Sequence, residues 1–186
     1  MPLLEQPELR TARLHLREVR SGDAADLFAI HSDPEVMRYW SHVPWTMLAQ
    51  AHEKIAQIAV QRATLPLMAW AIADNATDRL IGTTALFSID TDQARAEIGY
   101  NLARQWHGKG LATEALQAVF AHAFQTLRLR RIEADVDPRN GPSRRLLERF
   151  GFVEEGLMRE RWVVNGQICD SLLYGLLHRE WAHAPG

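Results

Sequence analysis

A single cysteine, Cys169, stands among 186 residues. It has no partner with which to close an internal disulfide, so a reducing compartment is expected. No stretch approaches the roughly 20 apolar residues of a membrane span. The opening Met-Pro-Leu-Leu-Glu-Gln-Pro-Glu-Leu lacks the basic start and apolar run of a secretory signal. Charge of one sign is missing too: 21 Lys and Arg against 23 Asp and Glu leave a formal net charge of −2. That balance gives no overall pull toward nucleic acid or an anionic membrane. Repeats, low-complexity tracts and linkers are absent. The chain therefore reads as one cytoplasmic domain, residues 1–186, large enough to bury a core. No metal is expected. His52-Glu53 opens an H-E-x-x-H pattern, but Ala56 stands where the second histidine belongs.

What the chain does have is Trp106-His107-Gly108-Lys109-Gly110-Leu111-Ala112-Thr113-Glu114. Two glycines leave backbone N–H groups unshielded just where a helix begins. The first amides of a helix have no partner within it. Loop and terminus together form a concave donor set suited to a phosphate or pyrophosphate. This is not a P-loop, because Ala103 replaces its first glycine and Gly110 its hydroxyl residue. The dinucleotide pattern G-x-G-x-x-G/A fails at Thr113. The same residues would also make an ordinary tight turn, so the flanks matter.

Upstream, residues 94–102 alternate strictly, with Ala94, Ala96, Ile98, Tyr100 and Leu102 on one face and Arg95, Glu97, Gly99 and Asn101 on the other. That is a half-buried strand. Downstream, Ala112, Ala115, Leu116, Val119, Phe120, Ala123, Phe124 and Leu127 recur at helical spacing. Residues 131–136 make the next strand, giving strand, phosphate loop, helix, strand. Before this unit come a strand at 9–17, a helix opening at Ser21-Gly22-Asp23 and broken at Pro34, and a helix at 46–63. Strands at 67–73 and 80–89 should form a hairpin that continues into 94–102. After it, Pro142 suits the first turn of a helix closed by Gly151, and Asn165-Gly166 should join strands 153–164 and 169–177 as a hairpin.

Glu97-Ile98-Gly99-Tyr100, His107 through Ala115, and Asn140-Gly-Pro-Ser143 through Phe152 occur in that order. Together they resemble the GNAT superfamily of N-acetyltransferases, and within it the RimJ/RimL type, which acetylates protein N-termini. The opening residues 9–17 and the closing Asn165, Asp170, Tyr174 and Trp181 fit that type. The resemblance implies an α/β fold: a mixed, largely antiparallel sheet of about seven strands flanked by about four helices. It implies acetyl-CoA as cosubstrate, its pyrophosphate on His107, Gly108, Lys109, Gly110, Leu111, Ala112 and Thr113. His107 stands where the family carries Gln or Arg, which weakens one side-chain contact and leaves the backbone donors. The pantetheine arm would lie along Tyr100, Asn101 and Leu102, and Asn140 would bond its amide.

The acceptor is a primary amine, which must lose a proton before it attacks. The resemblance gives that task to Glu97, with Glu160 as second candidate or a surface partner of Arg159 or Arg161. Many family members donate a proton to the leaving thiolate from a tyrosine; here that place holds Leu147, and Ser143 is assigned as the donor instead. Arg139, Arg144, Arg145 and Arg149 cluster nearby, and one or two could reach phosphate. Tyr39, Trp40, His42, Trp45 and Arg161-Trp162 could line the acceptor pocket. Cys169 reads as a buried strand residue, so direct attack in a ternary complex is preferred to an acyl-cysteine. A protein N-terminus, ribosomal or other, is the expected acceptor. A polyamine, amino acid or antibiotic is the alternative, as is a silent acyl-CoA sensor. The residues do not fix the oligomeric state and leave a homodimer open.

Overall fold

A computed structural model describes residues 6–181. Its sheet has eight strands: β1 (Leu9–Arg10), β2 (Leu14–Glu18), β3 (Met68–Asp74), β4 (Leu80–Asp90), β5 (Arg95–Leu102), β6 (Arg131–Val136), β7 (Val153–Val164) and β8 (Gln167–Leu177). They lie in the order β1-β2-β3-β4-β5-β6-β8-β7, and every neighbouring pair is antiparallel except β5 and β6. The α-helices are α1 (Ala24–His31), α2 (Pro34–Met37), α3 (Leu48–Thr64), α4 (Leu111–Ala121), α5 (Gly141–Arg149) and α6 (His178–Trp181).

The expected class is right, and the count rises by one strand and two helices. The strand expected at 9–17 folds back on itself, pairing Leu9 with Leu16. Thr11 makes the turn: its N–H donates to the Leu14 carbonyl at 2.9 Å, and its Oγ1 accepts from the Leu14 N–H at 2.9 Å. Alternation alone cannot register such a reversal, because both arms keep the same period. Pro34 does follow the end of α1, but it also opens α2. Asp33 caps that helix by accepting the Glu35 N–H at 2.9 Å, and proline suits the first turn. The helix expected to run to Leu127 stops at Ala121 and widens through His122–Thr126, where Leu127 N–H reaches back five residues to the His122 carbonyl at 3.0 Å.

Two helical layers cover the sheet. On one face α4 and α5 bring Leu111, Leu116, Val119, Phe120, Leu147 and Phe150 against Met68, Trp70, Ile98 and Ile132. On the other, Ile30 of α1 meets Ala71 and Leu80, and α1 packs α3 through Leu27 and Ala51. With both faces covered, β3 is apolar from Met68 to Ala73, as a doubly buried strand must be. The Asn165-Gly166 hairpin forms as expected, both residues taking positive φ, 49° and 75°.

His31, at the end of α1, is 5% exposed. Asn101 Oδ1 accepts from Thr83 N–H and Oγ1 at 3.0 Å each, so its amide nitrogen is the group facing His31 Nε2, at 3.4 Å. His31 is therefore neutral with its proton on Nδ1, which has no partner among the described residues. Burial, with His42 and Lys54 adding to it, pushes this imidazole down to about 4. The unfolded chain takes up the proton near the ordinary value of about 6.5, so the native state loses stability as pH falls from there toward about 4. Over that span the loss should approach about 3 kcal/mol, at 1.36 kcal/mol per unit. Urea unfolding of wild type and His31→Phe between pH 4 and 7 should give a flatter dependence for the variant; equal slopes would show that His31 is not the group.

Candidate functional site

β5 and β6 are paired only through Arg95↔Arg131, Ala96↔Ile132 and Glu97↔Glu133. Beyond that point each strand stays with its other neighbour. β5 follows β4 as far as Leu102↔Gly82, and β6 follows β8 as far as Val136↔Leu172. The twist of each pair draws the two strands apart. The sheet is thus opened at its one parallel pair, leaving residues 98–102 and 134–136 with unpaired inner edges.

The glycine loop sits at the carboxyl end of β5. Gly108 and Gly110 take φ of 72° and 75°, the left-handed region, and Gly110 caps α4. The N–H groups of residues 108–113 have no acceptor among the described residues; Glu114 is the first to bond back, to the Gly110 carbonyl at 3.1 Å. Six consecutive donors next to a helix N-terminus fit a pyrophosphate. The loop is braced from the β1–β2 turn. Glu114 accepts from Thr11 Oγ1 at 2.6 Å, Arg13 N–H at 2.8 Å and Arg13 Nε at 2.6 Å, while Arg13 Nη1 donates to the Lys109 carbonyl at 3.0 Å. Burial opposes ionisation of Glu114, but these donors outweigh it and hold the carboxyl below its usual range. The His107 ring turns back to the strand, Nε2–H donating to the Leu102 carbonyl at 2.8 Å. Lys109 lies over the Trp106 ring, 4.8 Å from its centroid.

A cavity of about 630 Å³ opens beside the splayed strands. Glu97, Tyr100, Asn140 and Ser143 line it, together with Tyr39, Trp40, His42 and Trp162. Trp45 does not; it stacks on His31 with 4.2 Å between ring centroids. The Tyr100 hydroxyl and Ser143 Oγ are 2.8 Å apart. Tyr100 contributes more than backbone, a role the alternating pattern could not reveal. Its phenol reaches from β5 to Ser143 of α5, one helical turn before Leu147, which is buried in the core. Burial pushes the phenol up to about 12, partly offset by Ser143. Asn140 Oδ1 caps α5 by accepting the Ser143 N–H at 3.2 Å, leaving its amide nitrogen to face outward bonds. The Asn101 side chain points to the opposite layer.

Asp135 is a site residue that sequence reading passed over. It follows Glu133 at period two on β6, and Glu133 is in register with Glu97, so the alternation held the signal. Burial raises its carboxyl above the usual range against bonds from Trp162 and Arg161. Ser171 Oγ also donates to it. Arg161 lies 3.7 Å from Asp135 rather than beside Glu160. Glu160 lies outside the cavity, its N–H donating to Asp170 Oδ1 at 2.8 Å in an irregular stretch of β7 with φ 56°. Arg139 is held by Asp137 at 2.6 Å and Arg144 by the Tyr174 hydroxyl at 3.1 Å; Arg145 and Arg149 have no partner of this kind among the described residues. Cys169 is half-buried rather than buried and lines the cavity, its Sγ 3.7 Å from Arg139.

A family described as the acetyltransferase (GNAT) domain matches residues 13–153. The chain belongs to the GNAT acetyltransferases. It is an acetyl-CoA-dependent acyltransferase with the mixed, mostly antiparallel sheet of that family. The uncharacterized N-acetyltransferase p20 of Bacillus licheniformis is 40% identical over 174 residues, 94% of this chain and 98% of its own. The [ribosomal protein uS5]-alanine N-acetyltransferase of Escherichia coli is 37% identical over 89 residues, 48% of this chain and 45% of its own. The crystal structure of spermidine N-acetyltransferase from Vibrio cholerae in complex with CoA and spermine matches with a TM-score of 0.80 and 25% identity, covering 93% of this chain and 100% of that one. Among these GNAT relatives, then, one acts on a protein and another on a polyamine.

Proposed function

We propose that this enzyme is of the RimJ/RimL type and acetylates the α-amino group of a protein N-terminus in the cytoplasm. The observation that carries the choice is the charge inventory of the cavity. Of its four acids, Asp135 lies beside Arg161, Asp137 is bound by Arg139, and Asp170 accepts a backbone N–H. Glu97 alone has no such partner among the described residues, and Arg38, Arg139 and Arg161 add positive charge. One uncommitted carboxylate suits an acceptor with one ammonium followed by peptide carbonyls. A polyamine carries several charges and needs several carboxylates.

In this reading acetyl-CoA lies in the gap between β5 and β6. Its pyrophosphate rests on the amides of residues 108–113, and its pantetheine extends along residues 100–102 as an added strand. Glu97 orients the amine and draws its proton, directly or through water. The leaving thiolate lies near Ser143 and Tyr100. A thiol has a pKa near 8.5, whereas the Tyr100 phenol stands at about 12. Full proton transfer from phenol to thiolate would cost about 5 kcal/mol. The hydroxyl pair therefore stabilises the thiolate as a hydrogen-bond donor and keeps its own protons.

The test is a screen of free coenzyme A release with peptides of free N-terminus, spermidine, free amino acids and aminoglycosides. Peptides should be preferred, and Glu97→Gln should lower kcat/KM at least about tenfold while calorimetric affinity for acetyl-CoA stays unchanged. Faster turnover of spermidine than of any peptide would overturn the assignment of acceptor.

A further inference from the structure

His42 is the one cavity-lining imidazole, in the segment between α2 and α3. Its Nδ1 lies 3.1 Å from the Val43 carbonyl. A carbonyl only accepts, so Nδ1 carries a proton, and in the neutral ring the free lone pair lies on Nε2. The ring is held by its neighbours: His31 stacks on it with 5.8 Å between centroids, and Trp40 tilts against it at 5.7 Å. An imidazole with a fixed donor nitrogen, lining the same cavity as Glu97, presents its other nitrogen in the form a proton acceptor needs.

We propose that His42 Nε2 receives the proton that the acceptor ammonium gives up on entering the cavity. This rests on the acetyltransfer reading above and adds a residue to it. Overall an ammonium and acetyl-CoA become an amide, free thiol and one proton. The first ammonium proton, drawn off by Glu97 directly or through water, passes on to Nε2 and then to solvent. The neutral amine attacks the thioester carbonyl, the N–C bond forms, the C–S bond breaks, and the second nitrogen proton ends on the departing sulfur. A carboxylate alone is a weak base for this task, since the ordinary glutamate pKa lies about 3.5 units below that of an α-amino group.

The charged and titratable groups around the ring come from every side. α1 supplies His31, Arg38 follows α2, and α3 supplies Lys54, which acts on His31. Across the cavity stand Glu97 on β5 and Asp135 on β6, with Asp137 just beyond β6. Arg161 and Arg139 lie beside the last two. Glu97, and Asp170 on β8, which accepts only the Glu160 N–H, are the cavity carboxylates with no ion-pair partner among the described residues.

The experiment measures kcat/KM against pH for wild type, His42→Asn, His42→Gln and Glu97→Gln, all with the peptide or spermidine that wild type acetylates best. Asparagine keeps a donor for the Val43 carbonyl, glutamine keeps a polar end near Nε2, and neither titrates. Wild type should lose activity on the acid side through the imidazole range, about pH 5 to 8. Both His42 variants should lose that limb and fall at least about tenfold, and Glu97→Gln should keep it. Calorimetry with acetyl-CoA confirms that each variant is folded and binds. A His42 variant that binds cofactor and keeps the acid limb overturns the proposal. If wild type binds acetyl-CoA and acetylates none of the amines, the acceptor reading fails instead.

Discussion

Ser143→Ala combined with Tyr100→Phe is expected to lower kcat about 100-fold, with acetyl-CoA affinity nearly unchanged. The two hydroxyls are 2.8 Å apart. Neither transfers its proton outright, because the phenol at about 12 is too weak an acid for a thiolate near 8.5. What is lost is a donor aimed at charge that develops as the C–S bond breaks, and losing one such donor costs on the order of 10² in rate. The single variants say which hydroxyl faces the sulfur. If Ser143 does, Ser143→Ala should match the double variant and Tyr100→Phe should cost less, because it only removes the donor behind the serine. If Tyr100 does, the order reverses. Stopped-flow release of coenzyme A separates this step from product dissociation. Both single variants within twofold of wild type would remove the pair from the mechanism.

The largest expected effect on stability lies away from the cavity, at Arg17. This side chain is 2% exposed, yet all five of its N–H groups find acceptors. Nη1 and Nη2 bond the two Asp23 oxygens at 2.8 and 2.9 Å, Nε bonds Asp78 Oδ1 at 2.9 Å, and the carbonyls of Glu18 and Asp78 take the remaining two at 2.9 and 2.8 Å. The bidentate Asp23 bond, against the opposing pull of burial, raises the Arg17 pKa well above its ordinary value. Arg17→Leu leaves the Asp23 carboxylate buried without its cation, and breaking such a pair costs about 3–5 kcal/mol. For a chain of this length that lowers Tm by about 10 °C. Adding Asp23→Leu should recover part of the loss, since two apolar residues bury no orphan charge. A single variant that costs under about 1 kcal/mol, measured by urea unfolding, would mean that water reaches the pair and screens it. Because Arg17 joins β2 to the start of α1 and to the β3–β4 turn, the variant should weaken folding before it touches catalysis.

Local patterns carried much of this protein. The alternation of 94–102, the helical stripe after Gly110 and the Asn165-Gly166 pair each depend on neighbours in the chain. The strand and the hairpin appear in the structure within one or two residues, and the helix starts where expected but gives way after Ala121 to a wider turn. The doubled-back strand at Thr11 was hidden, since a turn held by a threonine hydroxyl leaves the apolar period intact. α2 was hidden because proline ends one helix and opens the next by the same fixed φ.

The sequence by itself determined that a glycine loop opens a helix after a half-buried strand. That follows from backbone freedom and side-chain period, which are local, whereas the roles of Glu97, Asn140 and Ser143 were implied only by the family resemblance. Only the tertiary structure decided that β5 and β6 part after Glu97, because each strand's bonds to its far neighbour override their own. It also decided that the Tyr100 hydroxyl meets Ser143, that Asp135 joins Glu97 in the cavity lining, and that His42 turns its Nδ1 to the Val43 carbonyl. These contacts join residues from separate elements, or depend on how one ring turns. Charge and distance fix them only after the sheet has formed.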